Sequence, residues 1–102
     1  MSKFQVEFII SIENKDPNNS NADVNIVFED GSRYFGTFFT LKNISELMSN
    51  HRKSGESAYG IYFWATNMCI VSKLTSNIIE DTIEDLIQNG LFEEVFFKIE
   101  DE

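Results

Sequence analysis

The 102-residue chain predicts a single α+β domain over residues 1–102: about five strands in a mainly antiparallel sheet, ordered β-β-β-α-β-β-α-α, with helices packed on one face. Three observations predict it. Apolar residues alternate near the N-terminus, an Asp-Gly pair separates two β-rich runs, and two later segments carry helix-start residues followed by apolar residues at helical spacing. A hydrophobic content of 42% with ten Phe suffices to fill one core at this length.

Lys3 to Ile12 opens the sheet, with Phe4, Val6, Phe8, Ile10 and Ile12 on one face and Lys3, Gln5, Glu7 and Ser11 mainly on the other. Glu13 to Ala22, rich in Asn and containing Asp16-Pro17, reads as an exposed loop. Its Asp16, Asn18, Ser20 spacing resembles a calcium loop only superficially. Asn21 stands where glycine is needed, and Val27 where a bidentate glutamate belongs.

Asp23 to Glu29 and Ser32 to Thr40 flank Asp30-Gly31, the pair that favours a two-residue type I′ hairpin. That register sets Phe28 opposite Arg33, Ile26 opposite Phe35 and Val24 opposite Thr37, with Tyr34, Phe38 and Val27 on the other face. Both faces are then apolar enough that one is expected to be covered and the other partly covered or partner-facing.

Asn43-Ile44-Ser45-Glu46 predicts a helix N-terminus capped by Asn43, ending near Gly55, with Ile44, Leu47 and Met48 inward. His51, Arg52 and Lys53 then lie in the last turn, where positive charge suits the helix dipole. The lone histidine thereby has a structural role. Ala58 to Ala65 and Met68 to Leu74 alternate as two strands joined near Thr66-Asn67. Asn77-Ile78-Ile79-Glu80 repeats the capping pattern and opens a helix to about Asn89-Gly90. Ile78, Ile79, Ile83, Leu86 and Ile87 fall on one side of it, and Glu80, Asp81, Glu84 and Asp85 on the other. Leu91 to Ile99 fits a short helix (Leu91, Phe92, Val95, Phe96, Ile99) somewhat better than a strand (Val95, Phe97, Ile99).

The formal net charge is −9, and Glu80 to Glu102 carries −8 of it, nine acids against Lys98 alone. Such a field repels nucleic acid and anionic membrane and attracts a basic protein surface. No run approaches the roughly 20 apolar residues of a membrane span, and the N-terminal run has no small-residue cleavage site after it. A single cysteine, Cys69, excludes an internal disulfide and fits the cytoplasm. Phosphate loops, zinc spacings and nucleophile elbows are absent from the sequence, so no cofactor, metal or catalytic residue is expected. Cys69, within Met68-Cys69-Ile70-Val71, reads as a small core residue.

The chain resembles the small acidic immunity proteins of bacterial toxin systems, including contact-dependent inhibition, in size, acidity, lack of a signal and α+β plan across its length. The stretch from Val24-Asn25-Ile26-Val27-Phe28-Glu29-Asp30-Gly31-Ser32-Arg33-Tyr34 through Gly60-Ile61-Tyr62-Phe63-Trp64 resembles small bacterial proteins. The resemblance implies a toxin effector domain as partner, often a basic nuclease, bound in the producing cell's cytoplasm. Immunity proteins share no defining motif, so no site residue carries over by it.

The residues themselves nominate a partner-binding set: the carboxylates Glu80, Asp81, Glu84, Asp85, Glu93 and Glu94, with Tyr62 and Trp64 as aromatic anchors. An alternative from another class is an adaptor or oligomeric module that adds the Lys3–Ile12 strand to a partner's sheet. A small hydrolase would instead require an enclosed pocket holding a carboxylate with a raised pKa.

Overall fold

The computed structural model describes residues 3–100. Strands β1 (Phe4–Phe8), β2 (Asn21–Phe28) and β3 (Arg33–Thr40) form an antiparallel meander. On the far edge of β3, β4 (Met68–Val71) runs parallel to Thr37–Thr40, and β5 (Phe97–Ile99) runs antiparallel to Arg33–Phe35. Two short strands thus share one edge end to end. The helical elements are α1 (Leu41–Ser54), the single turn α2 (Glu56–Gly60), α3 (Ser76–Gln88) and α4 (Phe92–Val95). The fold is α+β with a five-stranded, mainly antiparallel sheet, as the sequence predicts.

The core forms where Val24, Ile26 and Phe38 of the sheet meet Ile79 and Ile83 of α3 and Phe92 and Phe96 around α4. Complete burial of each aliphatic or aromatic side chain contributes about 1.5–3 kcal/mol. Every apolar residue assigned to the inner face of α3 lies in or against this cluster. Gly36 is what admits Phe96: a Cβ at Gly36 would stand 2.3 Å from the ring's Cδ1 and 2.5 Å from its Cε1.

The hairpin register differs from the expected one by a single residue. The loop is Glu29-Asp30-Gly31, closed by Phe28 N–H donating to Ser32 O (2.9 Å) and Gly31 N–H donating to Phe28 O (3.0 Å). Gly31 adopts φ +87°, so the connection is a three-residue turn with a bulge rather than a two-residue type I′ turn. Ile26 therefore pairs with Tyr34, Val24 with Gly36 and Ala22 with Phe38. The slip moves Tyr34 and Phe38 onto the core face and Phe35, Thr37 and Phe39 onto the other.

Ala58 to Ala65 is not a strand, and the predicted second hairpin does not form. Ser57, Ala58 and Tyr59 take φ of 49°, 52° and 60°, giving one left-handed turn followed by irregular chain. The turn fits closely on α1, because Gly60 (φ +81°) places its Cα where a Cβ would be 2.2 Å from Met48 O. Asn67 makes the bend before β4, but its bonds lead elsewhere than a hairpin. Its backbone O accepts from Thr37 N–H (3.1 Å), and its side-chain Nδ2 donates to Val95 O (3.0 Å). Residues 41–67 are the crossover that a parallel β3–β4 pair requires.

Three boundaries also move. β1 ends at Phe8, and Ile10, expected on the buried face, is 70% exposed. Both long helices are capped by threonine ahead of the predicted asparagine: Thr40 accepts from Asn43 N–H (3.3 Å) and Thr75 from Ile78 N–H (3.2 Å). Asn43 and Glu46 instead tie down the polar loop, with Asn21 Nδ2 donating to Asn43 (2.7 Å) and Asn19 Nδ2 to Glu46 (2.7 Å). Finally, Leu91–Ile99 divides. Phe92 and Phe96, one helical turn apart, are buried around α4, and the chain then extends so that β5 pairs with β3.

Candidate functional site

α3 positions the main acidic surface. Thr75 starts the helix, and Ile79 and Ile83 anchor it to the core. Gly90 (φ +70°) ends it, with Leu91 N–H donating to Leu86 O (2.9 Å). Anchoring the isoleucines turns the other side outward: Glu80, Asp81 and Asp85 are exposed and Glu84 half-buried. The pairs Glu80–Glu84 and Asp81–Asp85 sit at like-charge i, i+4 spacing, which costs about 0.2–0.5 kcal/mol each. Among the described residues the ion pairs are Arg33–Glu7 (3.3 Å) and His51–Glu56 (3.6 Å), so none of the six nominated carboxylates is neutralised by one. The tail carboxylates Asp101 and Glu102 lie outside the described residues.

Glu93 and Glu94 continue the acidic surface on α4, both exposed. Glu93 Oε1 accepts from the Tyr34 hydroxyl at 2.9 Å, across 59 residues of sequence. Burial, followed by the Glu93 carboxylate, pushes the Tyr34 phenol above its ordinary value. This hydrogen bond forms part of an open cleft of about 500 Å³ at the C-terminal end of α3. Phe28, Tyr34 and Phe92 form an edge-to-face trio in its lining, with ring centroids 4.8–5.6 Å apart. Glu29, Asp30 and Glu93 supply carboxylates, and Lys3 an ammonium group. Two donors from Ser32, its hydroxyl and its backbone N–H, reach Asp30 Oδ1 and hold that carboxyl below the ordinary carboxylate range.

Tyr62 and Trp64 are surface residues, 50% and 68% exposed. They do not join the acids in one site. Phe63 between them packs on Phe39 (centroids 5.1 Å apart), on the sheet face opposite the core, and stacks on His51 of α1. The same opposite face divides into a polar half, with Arg33–Glu7 and Thr37 Oγ1 donating to Asp23 (2.9 Å), and an apolar half bearing Ile70 and the 60%-exposed Phe97. The expectation of one covered and one partly covered face therefore holds, with the strand faces exchanged.

His51 Nδ1 is buried without a hydrogen-bond partner among the described residues, and its ring stacks on Phe63. Cys69 pairs with Phe38 in register and packs against the core, and burial pushes its thiol pKa up, away from nucleophilic use. Among the described residues no three of His, Cys, Asp or Glu gather to hold a metal ion, and no helix is long and apolar enough to cross a membrane.

No protein-family model, curated protein or solved structure matches the chain. The cleft is not among the features that the sequence nominates. Its parts come from the β2–β3 turn and the α3–α4 junction, and a wrong hairpin register hides the inward position of Tyr34.

Proposed function

We propose that this chain is a non-enzymatic binding protein of the immunity type, which captures and neutralises a basic toxin effector domain, such as a nuclease, through its acidic surface. The observation that carries the reading is the outward face of α3, four carboxylates on a well-anchored helix with no ion-pair partner among the described residues. Unpaired surface charge costs stability through self-repulsion, and it accelerates encounter with an oppositely charged surface. A bound acidic face also competes directly with a nuclease's nucleic-acid substrate for the same basic groups.

The test is capture of the partner by the tagged chain, elution with salt, and neutralisation of that partner's toxicity. Reversing Glu80, Asp81, Glu84 and Asp85 to lysine is expected to slow association, flatten its salt dependence and abolish protection. An unchanged salt slope in that variant would sink the reading.

A second reading rests on β1, which ends the strand order and leaves its outer edge unpaired among the described residues. An adaptor adding this edge to another sheet predicts binding insensitive to salt and blocked by proline within Phe4–Phe8.

A further inference from the structure

Resting on the reading of a basic protein partner, we propose that the cleft at the end of α3 receives an arginine side chain of that partner. Its guanidinium would lie against the half-buried Phe28, which Tyr34 and Phe92 support edge-on, and donate to the carboxylates of Glu93, Glu29 and Asp30. Three features favour this occupant. The lining has three carboxylates against the single ammonium of Lys3, which selects a cation. The half-buried Phe28 ring in the wall, fixed by Tyr34 and Phe92 behind it, favours a planar, weakly hydrated cation over a compact ammonium ion. The carboxylates are also partly pre-oriented. Glu93 is held by the Tyr34 hydroxyl through Oε1, and both Ser32 donors fall on Asp30 Oδ1. A fork of N–H donors matches such a set better than a point charge does. Lys3, in the lining but in no ion pair with these carboxylates among the described residues, leaves them open to an incoming arginine.

The experiment uses the isotope-labelled full chain and two probes, N-acetyl-arginine amide and N-acetyl-citrulline amide, which share shape but differ in charge. Arginine amide is expected to shift the NMR resonances of Phe28, Tyr34 and Glu93, while citrulline amide at the same concentration leaves them in place. Glu93→Gln keeps an acceptor for the Tyr34 hydroxyl but removes the charge, and is expected to weaken the arginine response by about two- to fivefold. Equal shifts from citrulline, shifts confined to the α3 carboxylates, or no response in the cleft would each overturn the proposal. Its failure is separable from that of the broader reading. Salt-sensitive capture through α3 without an arginine response sinks only the cleft, whereas a cleft response without any basic partner sinks the immunity reading.

Discussion

Gly36→Ala tests the packing that unites the sheet with the C-terminal segment. The new Cβ would lie 2.3 Å and 2.5 Å from two carbons of Phe96. Ordinary carbon contacts are about 3.5–4.0 Å, so the ring must retreat by more than about 1 Å. It has little room. Phe96 is 2% exposed and is held by Phe38 and Phe92, with centroids 5.7 Å and 5.0 Å away. Overpacking of this kind costs about 1–3 kcal/mol, against about 0.5–1 kcal/mol returned by replacing glycine within a strand. With two contacts this short against a buried ring, the cost falls in the upper part of that range and the expected net loss is about 1–2.5 kcal/mol, a fall in Tm of about 4–8 °C per kcal/mol for a domain near this size. Urea denaturation followed by circular dichroism measures it, with Phe96→Ala and the double variant completing a cycle. Phe96→Ala alone should cost about 3–5 kcal/mol, and the double variant less than the sum, because the methyl of the new alanine occupies part of the vacated space. A Gly36→Ala protein as stable as the parent, or strictly additive costs, would refute this account of the core.

Thr75→Ala removes the acceptor for Ile78 N–H and should lower stability by about 1 kcal/mol, read as a reduced urea midpoint at unchanged m-value. Gly60→Ala sets a Cβ against the Met48 carbonyl at a positive φ, so limited proteolysis should open residues 55–65 well before the sheet. Burial raises the Cys69 thiol pKa in the folded chain. The unfolded chain then loses its proton first, and stability should fall as pH rises above about 8.5, the ordinary thiol value. Cys69→Ala should remove that component and leave the loss from Tyr34, whose phenol is also raised, beginning near pH 10. As the sole tryptophan, largely exposed, Trp64 reports its own surroundings. Its emission should be red-shifted and readily quenched by acrylamide, and a blue shift on adding the basic partner would place it in the contact.

The parts of the fold legible in the sequence are those that one local pattern determines. The apolar stripe of α3 predicts its buried side because helical spacing leaves no competing arrangement, and the opposing acids follow from it. Asp30-Gly31 marks a turn correctly, but glycine at positive φ suits both a two-residue turn and the bulge of a three-residue one. Choosing wrongly between them exchanges the faces of β3, so Tyr34 and the cleft it lines stay hidden. The C-terminal segment carries both periodicities in succession. Phe92 and Phe96 follow the helix, and Phe97 with Ile99 follow the strand, so a single assignment could capture only one half. Asparagine and threonine are both good caps, so the sequence does not choose between neighbours; Thr40 and Thr75 take the role, and Asn43 holds the loop ahead of β2 instead.

The stretch from Tyr59 to Trp64 departs furthest from the strand that its pattern predicts. Alternating aromatic residues ordinarily signal a strand whose rings are buried by a neighbouring layer. Here β4 and β5 already occupy the free edge of β3, which leaves this segment no pairing partner there. Four of its side chains are accordingly exposed, Ile61 to 78% and Tyr59 to 67% with Tyr62 and Trp64, and the segment opens with a left-handed turn costing about 1–2 kcal/mol per non-glycine residue. Strain and exposed apolar area both weigh against folding, and stability alone gives no reason to retain either. Recognition does, since rings with a polar edge contribute strongly to binding when a partner covers them. The acidic face of α3 and this aromatic segment are anchored to opposite faces of the sheet, so the proposed function would divide between them: long-range attraction at one, and close contact at the other for a partner large enough to reach around the edge between them.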